Sequence, residues 1–236
     1  MLLFLIDVLF RSPSRFLELL PVVALVMVAP LILGLTVHEF AHALAAHLLG
    51  DDTAKRAGRL SLNPIRHLDP AGTLFMIIAG FGWGKPVPVD PRGLPNARRS
   101  MALVAFAGPF SNLLLAGALG MVFKFHLMPF YPPEGIPFSL KAPALLSAVL
   151  AYSIFFTLLM GVFNLLPIAP LDGSKVLMGL APRRLTFPLA KVEPYGMAVL
   201  MLIFAIDWVG NANIFWRIIS TPANFLGSLV VGQPFL

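Results

Sequence analysis

The run from Leu20 to Val37 contains no charged residue, and it closes on His38-Glu39-Phe40-Ala41-His42. An uncharged apolar stretch of this length folds as a helix that crosses a bilayer, because hydrocarbon offers its backbone groups no other partner. Ionisable side chains at the end of such a helix are costly unless a metal or a charged partner compensates them. His-Glu-x-x-His on a helix sets two imidazoles one turn apart on one face, where both can bind a single zinc ion. The adjoining glutamate can then serve as general base toward a metal-activated water. Without a metal, His38 and His42 would be buried histidines that each hydrogen-bond a neighbouring helix.

The rest of the composition agrees with a membrane setting. Of 236 residues, 58% are hydrophobic and 12% charged, with a mean hydropathy of +0.86; a soluble domain carries about 25% charged residues. The formal net charge of +6 is topological rather than a nucleic-acid footprint. Its basic residues fall in short connections between apolar runs and form no continuous stripe. With no cysteine, disulfides, thiolate zinc sites and cysteine nucleophiles are excluded, so a metal must be held by His, Asp or Glu.

Runs long enough to cross a bilayer occur near 20–49, 101–125, 144–166 and 194–209. A weaker run, 214–236, is interrupted by Pro222, Gly227 and Gly232 and reads as a last span or an interfacial helix. Residues 1–19 read as an interfacial segment or partial span; their apolar start, Met1 to Phe10, is too short to span and lacks the basic n-region of a signal peptide. Gly72 to Trp83 is apolar but only about half the length needed to cross, so it dips in and returns or pairs as strands. The following Gly80–Asp90 segment, rich in Gly and alternating Val with Pro, has the character of an extended edge. The expected fold is therefore an all-α polytopic bundle of about 4–6 transmembrane helices with a short re-entrant or β-like segment near 72–90. It forms one domain over 1–236 with its core in 20–210, and no connection is long enough for a separate soluble domain. Trp83, Trp208 and Trp216 are expected as interfacial anchors.

Charge asymmetry orients the spans. The 51–100 connection carries Lys55, Arg56, Arg59, Arg66, Lys85, Arg92, Arg98 and Arg99, and the 167–191 connection carries Lys175, Arg183, Arg184 and Lys191. Between them, 126–143 sets Lys141 against Glu134. Alternating spans place both basic connections on one side, and the positive-inside rule makes that side cytoplasmic. His38 and His42 lie about two turns before the first basic connection, so the metal is expected in the cytoplasmic half of the membrane.

A catalytic zinc needs a third protein ligand and an open position. His47 points about 140° away from His42 on the same helix. His67 and Asp69 lie in a polar loop and suit turn chemistry, and His126 belongs to the far side. Asp172, in Asn164-Leu-Leu-Pro-Ile-Ala-Pro-Leu-Asp-Gly173, returns to the side of the histidines. Pro167 and Pro170 there cannot continue a regular helix, so the backbone unwinds and can aim a side chain inward. Taken by itself Asp172-Gly173-Ser174 is also a helix N-cap pattern.

A membrane His-Glu-x-x-His followed by Asn-x-x-Pro-x-x-Pro-x-Asp-Gly resembles the site-2 protease family of intramembrane zinc metalloproteases. Gly108-Pro-Phe-Ser-Asn112, Gly58-Arg-Leu-Ser-Leu-Asn-Pro and Gly84-Lys-Pro-Val-Pro-Val extend the likeness over about residues 20–210. The resemblance implies one Zn²⁺ per chain held by His38, His42 and Asp172, with Glu39 as base, in an integral protein of a bacterial cell membrane. It implies substrates that are transmembrane segments of other proteins, and a role in regulated intramembrane proteolysis. Asn112 is expected either as an oxyanion donor through its amide NH₂ or as an interhelical hydrogen bond. Asn164 is expected to satisfy carbonyls left open by Pro167. The 80–90 edge could hold an unwound substrate strand by backbone pairing, or form a loop shielding the metal from lipid. Many family members carry a PDZ or CBS domain, and this chain shows neither. Two other classes use the same residues: a metal-binding transporter, which needs in-membrane carboxylates that the spans scarcely supply, and an inactive scaffold or chaperone, which would dispense with Glu39 first.

Overall fold

A computed structural model describes residues 12–79, 82–133, 142–210 and 213–235, so residues 1–11 of the expected N-terminal segment lie outside the described part. The described chain is helical: α1 (Pro13–Val23), α2 (Ala29–Leu48), α3 (Pro70–Ala79), α4 (Ala97–Lys124), α5 (Ala142–Asn164), α6 (Asp172–Leu180), α7 (Arg183–Val192), α8 (Gly196–Gly210) and α9 (Ile214–Val231). Four stretches are long and apolar enough to cross a membrane, namely Leu20–Leu48, Ala97–Lys124, Pro143–Asn164 and Arg184–Asp207. The protein is an integral membrane protein of the expected all-α polytopic class.

The first span runs without a break from α1 into α2 through one π-helical stretch, Ala24–Val28. That stretch lies between Pro21 and Pro30, each of which removes one i→i−4 hydrogen bond and so loosens the ladder. The fourth apolar stretch is not one regular helix. Pro188 falls inside α7, and Pro194 opens a 3₁₀ turn, Glu193–Tyr195, that joins α7 to α8.

Lipid tails are as apolar as leucine, so the bundle is held by close packing rather than by the hydrophobic effect. Helix α4 is its axis and packs against α2, α5, α6 and α9. One buried cluster joins α4, α5 and the C-terminal segment through Ala116, Phe123, Ile154, Leu158, Val231 and Phe235. A second joins α5, α8 and α9 through Val162, Leu200, Ile219 and Ala223. Gly120 lets α9 approach α4 directly, since a Cβ there would lie 2.0 Å from Val230 Cγ1. The 214–231 run is thus a helix packed on the bundle; Pro222 sits within it without ending it, and Gly232, at φ +83°, caps it.

The described residues of the 72–90 region form a short helix and an extended stretch, with one isolated bridge and no strand. Its first part is the ten-residue α3, begun by Pro70 and capped by Asp69, whose Oδ1 accepts the Gly72 N–H at 2.8 Å. Residues 85–90 then carry no helix, and a single antiparallel bridge joins Gly84 to Leu68, with the Lys85 N–H donating to the His67 carbonyl at 2.8 Å. Arg59, 5% exposed, clamps this stretch from behind by donating to the Lys85 and Pro86 carbonyls.

Candidate metal centre

Helix α2 carries His38 and His42 on its inner face, where both are buried. Between α5 and α6 the chain turns through Leu165–Leu171, with Pro167 and Pro170 blocking any helical continuation. Helix α6 begins at Asp172, which is its first helical residue and not its N-cap; that position is Leu171. The Asp172 carboxylate is thereby aimed across the bundle at α2. Its Oδ2 lies 3.1 Å from His38 Nε2 and 3.0 Å from His42 Nε2, and the two Nε2 atoms are 3.0 Å apart.

Three ligand atoms in a triangle of this size suit a small cation. Ligands at about 2.0–2.1 Å from a tetrahedral zinc stand about 3.3 Å from one another. The donor chemistry fits as well. His42 Nδ1 donates to the Val104 carbonyl at 2.7 Å, which leaves the Nε2 lone pair facing the cluster. Burial pushes the Asp172 carboxyl up, but the two imidazoles against it outweigh burial and hold it below the usual carboxylate range, in the ionised form a metal needs. Among the described residues, His38, His42 and Asp172 form the one group of three or more such side chains close enough to share an ion.

Helix α4 closes the site from the other side, and the Gly108-Pro-Phe-Ser-Asn112 segment is what lets it do so. A Cβ on Gly108 would stand 2.4 Å from His42 Nε2 and 2.8 Å from His38 Cε1. Asn112 is fully buried, with its Nδ2 3.3 Å from His38 Nδ1. Asn164 does not serve the carbonyls that Pro167 leaves open; its Nδ2 donates to the Met160 carbonyl at 3.0 Å. The Phe163 carbonyl, four residues before Pro167, accepts the Leu166 N–H instead.

Glu39 and the triad share a cavity of about 680 Å³ between α2, α5, α8 and the 82–89 stretch. Gly84 is packed against the glutamate: a Cβ there would lie 3.2 Å from Glu39 Oε1. Trp83 and Trp216 line this cavity, so they are not purely the interfacial anchors expected; the side chain of Trp208 lies outside the description.

The other candidates are occupied elsewhere. His47 Nδ1 pairs with Asp52 Oδ1 at 2.5 Å, and the buried His67 donates from Nε2 to the Ser61 carbonyl at 2.6 Å. His126 ends α4 beyond the last helical turn with φ +54°. Sequence reasoning missed two cavity features. Lys175 lies one turn after Asp172 and lines the cavity, a placement readable from the i, i+3 spacing once α6 is drawn. The role of Arg59 had no local signal, because its partners are backbone carbonyls 26 and 27 residues away.

Fold and site together define a polytopic membrane protein with a buried two-histidine, one-carboxylate cluster able to hold a metal ion. The chain is 39% identical over 212 residues to "Putative zinc metalloprotease YwhC" of Bacillus subtilis, covering 89% of this chain and 94% of that protein. It is 31% identical over 188 residues to "Putative zinc metalloprotease Rip2" of Mycobacterium tuberculosis, covering 77% and 67%. The Rip2 of Mycolicibacterium smegmatis is 29% identical over 187 residues, with the same coverage. No family model and no solved structure matches the chain. The chain belongs to the zinc metalloprotease family that YwhC and Rip2 represent.

Proposed function

We propose that this protein is an intramembrane endopeptidase of the site-2 type, which hydrolyses peptide bonds in or near transmembrane segments of other membrane proteins. The observation that carries the reading is Glu39 beside a buried triangle of His38, His42 and Asp172, all four opening on one cavity. Those three side chains would hold one zinc ion, which supplies Lewis acidity to acidify a water molecule and polarise the scissile carbonyl. Glu39 takes the proton of the attacking water and delivers it to the leaving amine nitrogen, so that one C–N bond breaks as one C–O bond forms. The mostly apolar lining from Leu31, Leu35, Phe156 and Phe204 suits a membrane segment. The backbone of Val87 and Val89 in the extended 85–89 stretch would pair with the substrate backbone once it has unwound.

The test is cleavage of a detergent-solubilised membrane-helix substrate, with zinc content measured on the same preparations. Glu39→Gln should keep about one zinc per chain and lose about 10²–10⁴-fold in rate. Asp172→Ala should lose the zinc itself. A Glu39→Gln variant that cleaves at the wild-type rate would exclude the mechanism, and an Asp172→Ala variant with full zinc would exclude the ligand set.

A further inference from the structure

Resting on the zinc reading above, we infer that Asn112 is a positioning residue of the metal centre: its side-chain carbonyl accepts the Nδ1–H of His38 and holds that ring with Nε2 turned to the metal. Asn112 is fully buried, and the polar atom of His38 that it meets is the ring nitrogen away from the cluster. As placed, Nδ2 faces His38 Nδ1 at 3.3 Å, while Oδ1 is buried without a hydrogen-bond partner. Amide oxygen and nitrogen have nearly the same shape, so the hydrogen-bond network decides which is which.

The ligand role of His38 favours the opposite orientation. If Nδ1 accepted from the amide, a neutral His38 would carry its proton on Nε2, the atom that meets Asp172 Oδ2 and His42 Nε2. A metal ligand needs the reverse tautomer, with Nδ1 protonated. An NH₂ group would then confront an N–H, and the amide oxygen would still lack a donor. Turning the amide gives Oδ1 the Nδ1–H and fixes the ligand tautomer, and it moves the unpartnered place from the amide oxygen to the NH₂ group.

The second histidine has the matching arrangement. His42 Nδ1 donates to a carbonyl of the same helix, that of Val104. Helix α4 thus faces both rings, with the Val104 carbonyl on His42 and the Gly108 backbone and the Asn112 amide on His38. The positions 104 and 112 run in reverse order to 42 and 38 because α2 and α4 are antiparallel here.

This role is separable from oxyanion donation. Ionised aspartate accepts a hydrogen bond and cannot donate one, so Asn112→Asp preserves the proposed function and abolishes the competing one. Zinc affinity is measured by chelator competition on detergent-purified wild type, Asn112→Ala and Asn112→Asp, with cleavage at saturating zinc as a second readout. Asn112→Ala should bind zinc about 10–100-fold more weakly, and Asn112→Asp should bind at the wild-type level and cleave substrate. Unchanged zinc affinity in Asn112→Ala overturns the inference. So does an Asn112→Asp variant that folds but loses zinc, which keeps the test decisive should the alanine variant fail to fold. A wild-type protein that binds no zinc overturns instead the metal reading on which the inference stands.

Discussion

At the scale of the residue, the site depends as much on one missing side chain as on the four present. Gly108 presses α4 against both imidazoles, and the 2.4 Å that would separate its Cβ from His42 Nε2 leaves no room for a methyl group. Gly108→Ala should therefore displace the ligating nitrogen and strip the centre of metal. The overpacking itself costs about 1–3 kcal/mol, an amount the bundle can survive. Zinc content and helicity measured together check this, and full zinc in a folded Gly108→Ala protein would show that α4 does not confine the histidines. The meeting of His38, His42 and Asp172 was legible in the sequence because they belong to motifs whose spacing and span parity carry their geometry. Gly108 was legible only as part of a pattern. Its reason is a contact with a helix about 70 positions earlier, and no local rule contains that. Asn164 misled for a related cause: the broken turn at Pro167 satisfies its own carbonyl through Leu166 N–H, and the amide goes to Met160.

At the scale of the element, the spans were readable because eighteen-residue apolar stretches in hydrocarbon have one stable answer, the helix. The 72–90 region was ambiguous for the opposite reason, since its apolar run is too short for length to arbitrate. It resolves into α3 followed by an extended stretch beside Glu39. That stretch makes one bridge, far short of what an independent hairpin needs, and Arg59 holds it together with Asp51, whose Oδ2 accepts the Asp90 N–H. The guanidinium holds the Lys85 and Pro86 carbonyls next to Gly84, and Gly84 is in contact with the catalytic candidate. Arg59→Gln shortens the reach and removes the fork. The edge should then shift relative to the metal centre, and misplacement of about 1 Å costs about 10²-fold in kcat/KM. Zinc content should stay at the wild-type level, because no ligand touches the edge. Wild-type kinetics in Arg59→Gln would show that this stretch is held by other means or has no part in placing substrate.

At the scale of the whole molecule, the two halves of the metal centre reach each other only if the chain crosses the membrane an even number of times between them. His42 and Asp172 are separated by 130 positions, and α4 and α5 are the two crossings in between. The connections after α2 and after α5 must then share one side, and the positive-inside rule predicts from their basic residues that this side is the cytoplasm. The absence of native cysteine makes this directly measurable at exposed positions. Leu62, Leu127 and Leu180 are 63%, 73% and 79% exposed, whereas Ser174 beside the ligand is buried and would label poorly. In intact cells an impermeant thiol reagent should modify Leu127→Cys from outside, and Leu62→Cys and Leu180→Cys only after permeabilisation. Labelling of Leu62→Cys and Leu180→Cys from opposite sides would break the ligand set, since Asp172 could not then meet the histidines. Labelling of both from outside would keep the set and reverse the molecule, moving the proposed cleavage to the outer half of the bilayer and setting the positive-inside rule aside for this chain.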